Sequence, residues 1–137
     1  MRRHRLWCAI LLIAACSHKT PDQKLLEAAQ PAASWIATLQ MTAEKWLGNS
    51  VPSRFVRASV DAANAAFDKT EKDVAQSDAR QELRDAIKRQ LEIAHAASGD
   101  FKQAVGNNDR RVVANCARRF AAAHSALQLL EDQKDRQ

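Results

Sequence analysis

The sequence predicts an all-α fold: an antiparallel, up-down-up-down four-helix bundle with helix 1 kinked near Pro31. Three observations lead there. Apolar residues recur at spacings of three and four, the period of one helix face. No alternating strand pattern and no glycine-rich loop interrupts them, and the 137 residues hold only three glycines, three prolines and no tyrosine. The turn signals that do occur are short, and short connections between amphipathic helices make antiparallel neighbours.

Each helix has its own signature. Thr20-Pro21-Asp22-Gln23 is a helix start: Thr20 as N-cap, Pro21 in the first turn, and Gln23 reaching back as in a capping box. Leu25, Ala29, Ala32, Ile36, Leu39, Ala43 and Trp46 form one stripe, which Gly48 ends. Pro31 lies inside it, and its missing N–H and ring clash should kink or break the helix. The second helix starts at Pro52 or Ser53. Val56, Val60, Ala63, Phe67, Thr70 and Val74 then form a heptad seam. A tight turn is expected at Ser77-Asp78, where either residue is a good N-cap for the third helix. That helix carries Leu83, Ile87, Leu91, Ala94, Ser98, Phe101 and Val105, with Gly99 interrupting it late. Gly106-Asn107-Asn108-Asp109 is the clearest turn. The fourth helix follows with Val113, Cys116, Phe120, Ala123, Leu127 and Leu130. Many seam positions are alanine. Two outcomes fit: the helices approach closely, or the bundle keeps a narrow cavity.

Ahead of the helices, Arg2, Arg3 and Arg5 precede the apolar run Leu6 to Ala15, then Cys16. A helix of ten residues covers about 15 Å, half of the roughly 30 Å of a bilayer core. A basic cluster, a short apolar run and small residues together match a secretory signal. Ile13-Ala14-Ala15-Cys16 resembles the lipobox of bacterial lipoproteins, with Ile13 where leucine is commoner. The resemblance covers residues 1–16 only. It implies cleavage before Cys16, a covalent lipid such as palmitate on Cys16, and, with Ser17 rather than an aspartate following, the outer membrane. Two or three acyl chains suffice for stable anchoring. Residues 1–15 are then a cleaved signal peptide, 16–19 a lipidated tether, and 20–137 the helical domain.

Processing changes the composition. Three of 21 basic residues leave and the 16 acidic ones stay, so the net charge falls from +5 to about +2. That is weak support for nucleic-acid binding, and no nucleic-acid partner is expected. Cys8 leaves with the signal and Cys16 is lipidated, so Cys116 is a lone buried thiol with no disulfide partner in an oxidising compartment.

The chemistry-bearing residues point away from catalysis. No GxSxG, HExxH, P-loop or paired-cysteine motif is present. His95, His124 and Cys116 are the only neutral nucleophile or base candidates of the helical domain beyond hydroxyls. Cys116 and His124 are about 12 Å apart along a helix axis, too far to share a metal ion, and the set is assigned neither a catalytic nor a metal role. Haem is not expected: CxxCH is absent, and Met41 projects opposite the stripe of helix 1, toward solvent. Gln90 and His124 lie at matching heights if the last hairpin folds about residue 107. They would form a structural polar pair or contact a ligand in an internal cavity. Trp35 and Trp46 share one face of helix 1, where they would pack in the core or at a groove edge, or else offer a binding platform.

The expected function is that of an outer-membrane-anchored, periplasm-facing lipoprotein: a non-enzymatic interaction or accessory module of the cell envelope, without a cofactor beyond the lipid on Cys16. In size and class the chain resembles small helical envelope lipoproteins such as secretin pilotins, though it carries no pilotin motif. The alternative is a small-ligand carrier using a cavity between the alanine-rich seams. For the interaction module, the expected partner-binding surface is the pole far from the membrane, where Arg54, Arg57, Lys102, Arg110 and Arg111 gather and would steer an acidic protein partner.

Overall fold

A complete capping box opens the first helix, α1 (Pro21–Leu47). Gln23 N–H donates to Thr20 Oγ1 at 3.2 Å, and Thr20 N–H donates to Gln23 Oε1 at 3.1 Å. The computed structural model describes residues 18–136. Three further helices follow: α2 (Ser53–Gln76), α3 (Gln81–Gly106) and α4 (Arg110–Lys134). No strand occurs among the described residues. Cys16 and the apolar run before it lie outside them.

The four helices enclose one core. α1 packs on α2 and α4, α3 packs on the same two, and α1 meets α3 more sparsely across the middle. Every residue of the stripes expected on α1, α2 and α3 is buried. On α4 Val113, Cys116, Phe120, Ala123 and Leu127 are buried, and Leu130 packs against the core from its edge. The buried arc is wider than one seam. Leu26 and Thr42 on α1, and Ala97 and Ala104 on α3, are buried as well, as a helix with neighbours on two sides requires. Alanines at 32, 43, 63, 94 and 97 have no exposed surface. Buried hydroxyls are satisfied locally: Thr42 donates to Thr38 O at 2.7 Å and Thr70 to Ala66 O at 3.0 Å, the back-bonding that lets threonine sit inside a helix. Met41 is half-exposed and Trp46 buried, while Trp35 is only partly buried against the core.

Long-range side-chain pairs fix the register of neighbouring helices. Lys102 Nζ lies 2.8 Å from Asp61 Oδ1. Ser98 Oγ lies 2.8 Å from both Asn64 Oδ1 and His95 O, with one proton to share between them. Asp22 joins α1 to the start of α3 through Arg80, and Arg119 Nη1 reaches Asp100 Oδ2 at 2.6 Å between α4 and α3.

Two local expectations are corrected. Gly99 does not interrupt α3, which runs through it to Gly106. One glycine lowers helix propensity by only about 1 kcal/mol, less than the packing of α3's buried face supplies. The turn after α2 falls where expected, but neither Ser77 nor Asp78 caps α3. The N-cap is Arg80, whose own side chain makes no cap bond. Asp22 of α1 reaches across instead: Oδ1 accepts the Arg80 N–H at 2.9 Å and Oδ2 accepts Arg80 Nε at 2.5 Å. Pro31 lies inside α1, which continues past it for four more turns.

The turns after α1 and α3 share one design. In each, the residue past the C-cap has positive φ: Asn49 at 57° and Asn108 at 54°. Asn49 N–H bonds Trp46 O and Ser50 N–H bonds Lys45 O, while Asn108 N–H bonds Val105 O and Asp109 N–H bonds Ala104 O. This is the Schellman pattern, with asparagine in the left-handed position that glycine more often takes. Gly48 and Gly106 therefore sit one or two residues before the residue that does the turning.

Candidate functional site

The candidate site is the basic pole. α2 and α4 begin there with Arg54 and Arg57, and with Arg110 and Arg111. Neither helix has an acidic residue in its first turn, so the arginines add to the positive end of each helix dipole instead of offsetting it. Asp109 is spent on capping: its carboxylate accepts the Val112 N–H at 3.1 Å.

The five expected residues divide into three roles. Lys102 is paired with Asp61. Arg110 is a tie: its guanidinium donates to Leu47 O at the C-terminal end of α1 and lies over the Trp46 ring, 5.8 Å from its centroid. A cation at a helix C-terminus and over an indole face is doubly favoured, so Arg110 serves the fold. Arg54, Arg57 and Arg111 are exposed and form no ion pair with a carboxylate among the described residues. Phe55, 49% exposed, stands between the first two, and Val112, 37% exposed, follows the third. The pole thus offers unpaired guanidinium groups beside exposed apolar side chains, a combination enriched at protein interfaces.

Gln90 and His124 are both half-buried, and no hydrogen bond joins them among the described residues. Open grooves between helix edges are lined by other side chains. One of them, about 630 Å³, lies where α1 begins, between Asp22, Leu26, Arg80, Leu83 and Leu130. Cys116 has no exposed surface. Burial pushes its thiol above the ordinary value, with nearby Arg119 acting in the opposite direction. No helix among the described residues is long and apolar enough to cross a membrane.

One grouping was not expected from the sequence, in which His95 is weighed only with His124 and Cys116 and assigned no metal role. His95 on α3 stands between Asp68 and Glu71 of α2. Besides His95 itself, the sequence signal that could have found it was Asp68-x-x-Glu71, two carboxylates one turn apart on a helix face.

No protein-family model, curated protein or solved structure matches the chain.

Proposed function

We propose that this chain is an outer-membrane lipoprotein facing the periplasm, a non-enzymatic interaction module that meets an acidic envelope partner through its basic pole. The observation that carries the reading is the closeness of two signals. The lipobox-like Ile13-Ala14-Ala15-Cys16 is separated from the Thr20 cap of α1 only by Ser17, His18 and Lys19. A lipid on Cys16 then holds the start of α1 at the membrane. The 27 residues of α1 span about 40 Å and carry its far end into the periplasm.

The topology belongs to the same proposal: up-down-up-down, with neighbours antiparallel. The pairs between α2 and α3 support it, because positions 61, 64 and 68 meet 102, 98 and 95, rising on one helix as they fall on the other. The Arg110–Leu47 bond, which sets the start of α4 against the end of α1, supports it too. In this arrangement the Asn49 and Asn108 turns share the distal pole with Arg54, Arg57 and Arg111. Pro31 has no N–H for the Glu27 carbonyl and crowds it with its ring, which bends α1.

Two measurements test the reading. Labelled palmitate should enter the protein and be absent from Cys16→Ala. In a lipidated protein shown to be folded, Arg54→Glu, Arg57→Glu and Arg111→Glu together should remove the acidic partner recovered by cross-linking in intact envelopes. Arg110 is kept, because its reversal would disturb the α1–α4 contact. An unchanged set of cross-linked partners would reject the pole; label retained in Cys16→Ala would reject the anchor.

A further inference from the structure

Away from the pole, three potential metal ligands converge on the α2–α3 seam. His95 Nε2 lies 3.3 Å from Asp68 Oδ1 and 3.5 Å from Glu71 Oε1, and the three ligand atoms all lie within 4.8 Å of one another. We propose that Asp68, Glu71 and His95 bind a divalent transition-metal ion, Zn²⁺ by preference, which bridges α2 and α3.

The separations fit the ion. Ligands at about 2.0–2.2 Å from a tetrahedral zinc stand about 3.3–3.6 Å apart, and both distances from the imidazole nitrogen fall in or at that range. The bonding pattern supports it independently. Nε2 itself is buried, in a side chain 30% exposed overall, and makes no hydrogen bond, although both carboxylate oxygens stand at ion-pair distance. A buried ring nitrogen without a partner is uncommon. A metal ion placed among the three atoms would satisfy it.

The setting holds the donors in place. The His95 ring meets Phe67 edge to face, with centroids 5.2 Å apart and planes at 70°. Phe67 is fully buried and precedes Asp68, so the residue that steadies the imidazole also anchors the backbone of one carboxylate. One turn further along α3, the Ser98 hydroxyl bridges His95 O and Asn64 of α2, fixing the register that brings the histidine opposite the acids. Asp68 and Glu71 stay open to solvent, with side chains 64% and 42% exposed, so the ion has an entry path and water can fill its remaining position.

The donor set also selects the metal. One imidazole and two carboxylates suit zinc and its first-row neighbours. Calcium and magnesium favour all-oxygen shells. The two carboxylates balance the charge of the dication. Because the ligands come from two helices, the bound ion staples the α2–α3 hairpin.

The test uses the full-length chain in detergent, without a histidine tag and stripped with a chelator. Zinc sulfate is titrated calorimetrically, with Co²⁺ as a spectroscopic stand-in. One Zn²⁺ per chain should bind, and Co²⁺ should develop the visible bands of a tetrahedral site. At free zinc one hundred times the Kd, the folded-to-unfolded ratio should rise about a hundredfold. His95→Gln and the double variant Asp68→Asn with Glu71→Gln should each weaken this binding by more than about tenfold, the loss that even outer-shell changes can cause. Both variants should keep the helical far-UV spectrum. His124→Gln should bind as the wild type does, and cysteine-dependent binding would persist in all variants, so the site is read from the difference. Equal zinc affinity in the wild type and His95→Gln, or equal stabilisation by magnesium, would overturn the assignment.

Discussion

Phe120→Ala should be among the most damaging single substitutions in the bundle. Phe120 has no exposed surface and meets the equally buried Phe101 of α3 edge to face, with centroids 6.0 Å apart and planes at 70°. Truncation removes six ring carbons from the core. The lost transfer free energy of a buried phenylalanine is about 2 kcal/mol. A void of roughly 90 Å³, if the helices do not close over it, adds about 2 kcal/mol at about 24 cal/mol per Å³. The total, about 4 kcal/mol, is a large share of the roughly 5–15 kcal/mol by which a domain is stable. Urea unfolding followed by far-UV circular dichroism measures it. The midpoint should fall steeply with little change in slope. A cycle with Phe101→Leu should return a coupling of about 1 kcal/mol for the ring pair. Leu129→Ala, at a position 61% exposed, should change stability by less than about 0.5 kcal/mol. If Phe120→Ala is too unstable to purify, Phe120→Leu should still lose about 1 kcal/mol. A loss below about 1 kcal/mol for Phe120→Ala, or one equal to that of Leu129→Ala, would refute the core assignment of α4.

Three other outcomes are expected. Gly99→Ala should stabilise the protein by about 0.5–1 kcal/mol, because Gly99 is inside α3 and an added Cβ meets nothing within 4 Å; a thermal melt checks it, and a lower midpoint would contradict that placement. Cys116 should react with a thiol reagent at least about a thousandfold more slowly in the native protein than after unfolding, since it is buried and its thiol is shifted away from the reactive thiolate; rapid native labelling would place it at the surface. The Asp22 carboxyl is held below its ordinary 3.8, chiefly by the Arg80 backbone N–H, so its ionised form stabilises the fold above that value and the contribution disappears as pH falls through the folded pKa. Wild type should therefore exceed Asp22→Asn in stability at neutral pH and converge with it in acid, and a gap that persists unchanged to low pH would count against the carboxylate as the cap of α3.

The helices were legible because each states its own period. A stripe such as Ile36, Leu39, Ala43 needs only the 3.6-residue repeat to be read, and the Thr20–Gln23 capping box is closed within four residues. The errors arose where a distant residue intervened. Ser77 and Asp78 are good caps by type, yet the start of α3 is served by Asp22, 58 positions away from Arg80. Gly99 looked like a breaker because propensity is local, while the burial of Ala97, Ser98 and Phe101 around it depends on the other helices. At the pole, sequence brought Arg110 forward with Arg54, Arg57 and Arg111. Only the structure separates it from them, by placing its guanidinium on Leu47 O and the Trp46 ring.

The His95 cluster was hidden for a related reason, and the register explains why. Taken singly, Asp68 and Glu71 are two carboxylates one turn apart, and His95 is one base candidate without a partner in its own helix. Their meeting requires knowing which turn of α3 lies against which turn of α2. The stripes alone leave that open, since sliding one helix by a heptad re-pairs similar apolar residues. Charge and polarity remove the ambiguity: with Lys102 against Asp61 and Ser98 against Asn64, the next step along both helices brings His95 to Asp68 and Glu71. A slip of one heptad would separate Lys102 from Asp61, leave Ser98 buried without Asn64, and take the imidazole away from both acids. The ladder that sets the hairpin's register is therefore also what assembles its metal ligands, and Asn64→Leu, which removes the middle rung, should weaken zinc binding although Asn64 offers the ion no ligand. Unaltered zinc affinity in that variant would show that the stripes alone hold the register.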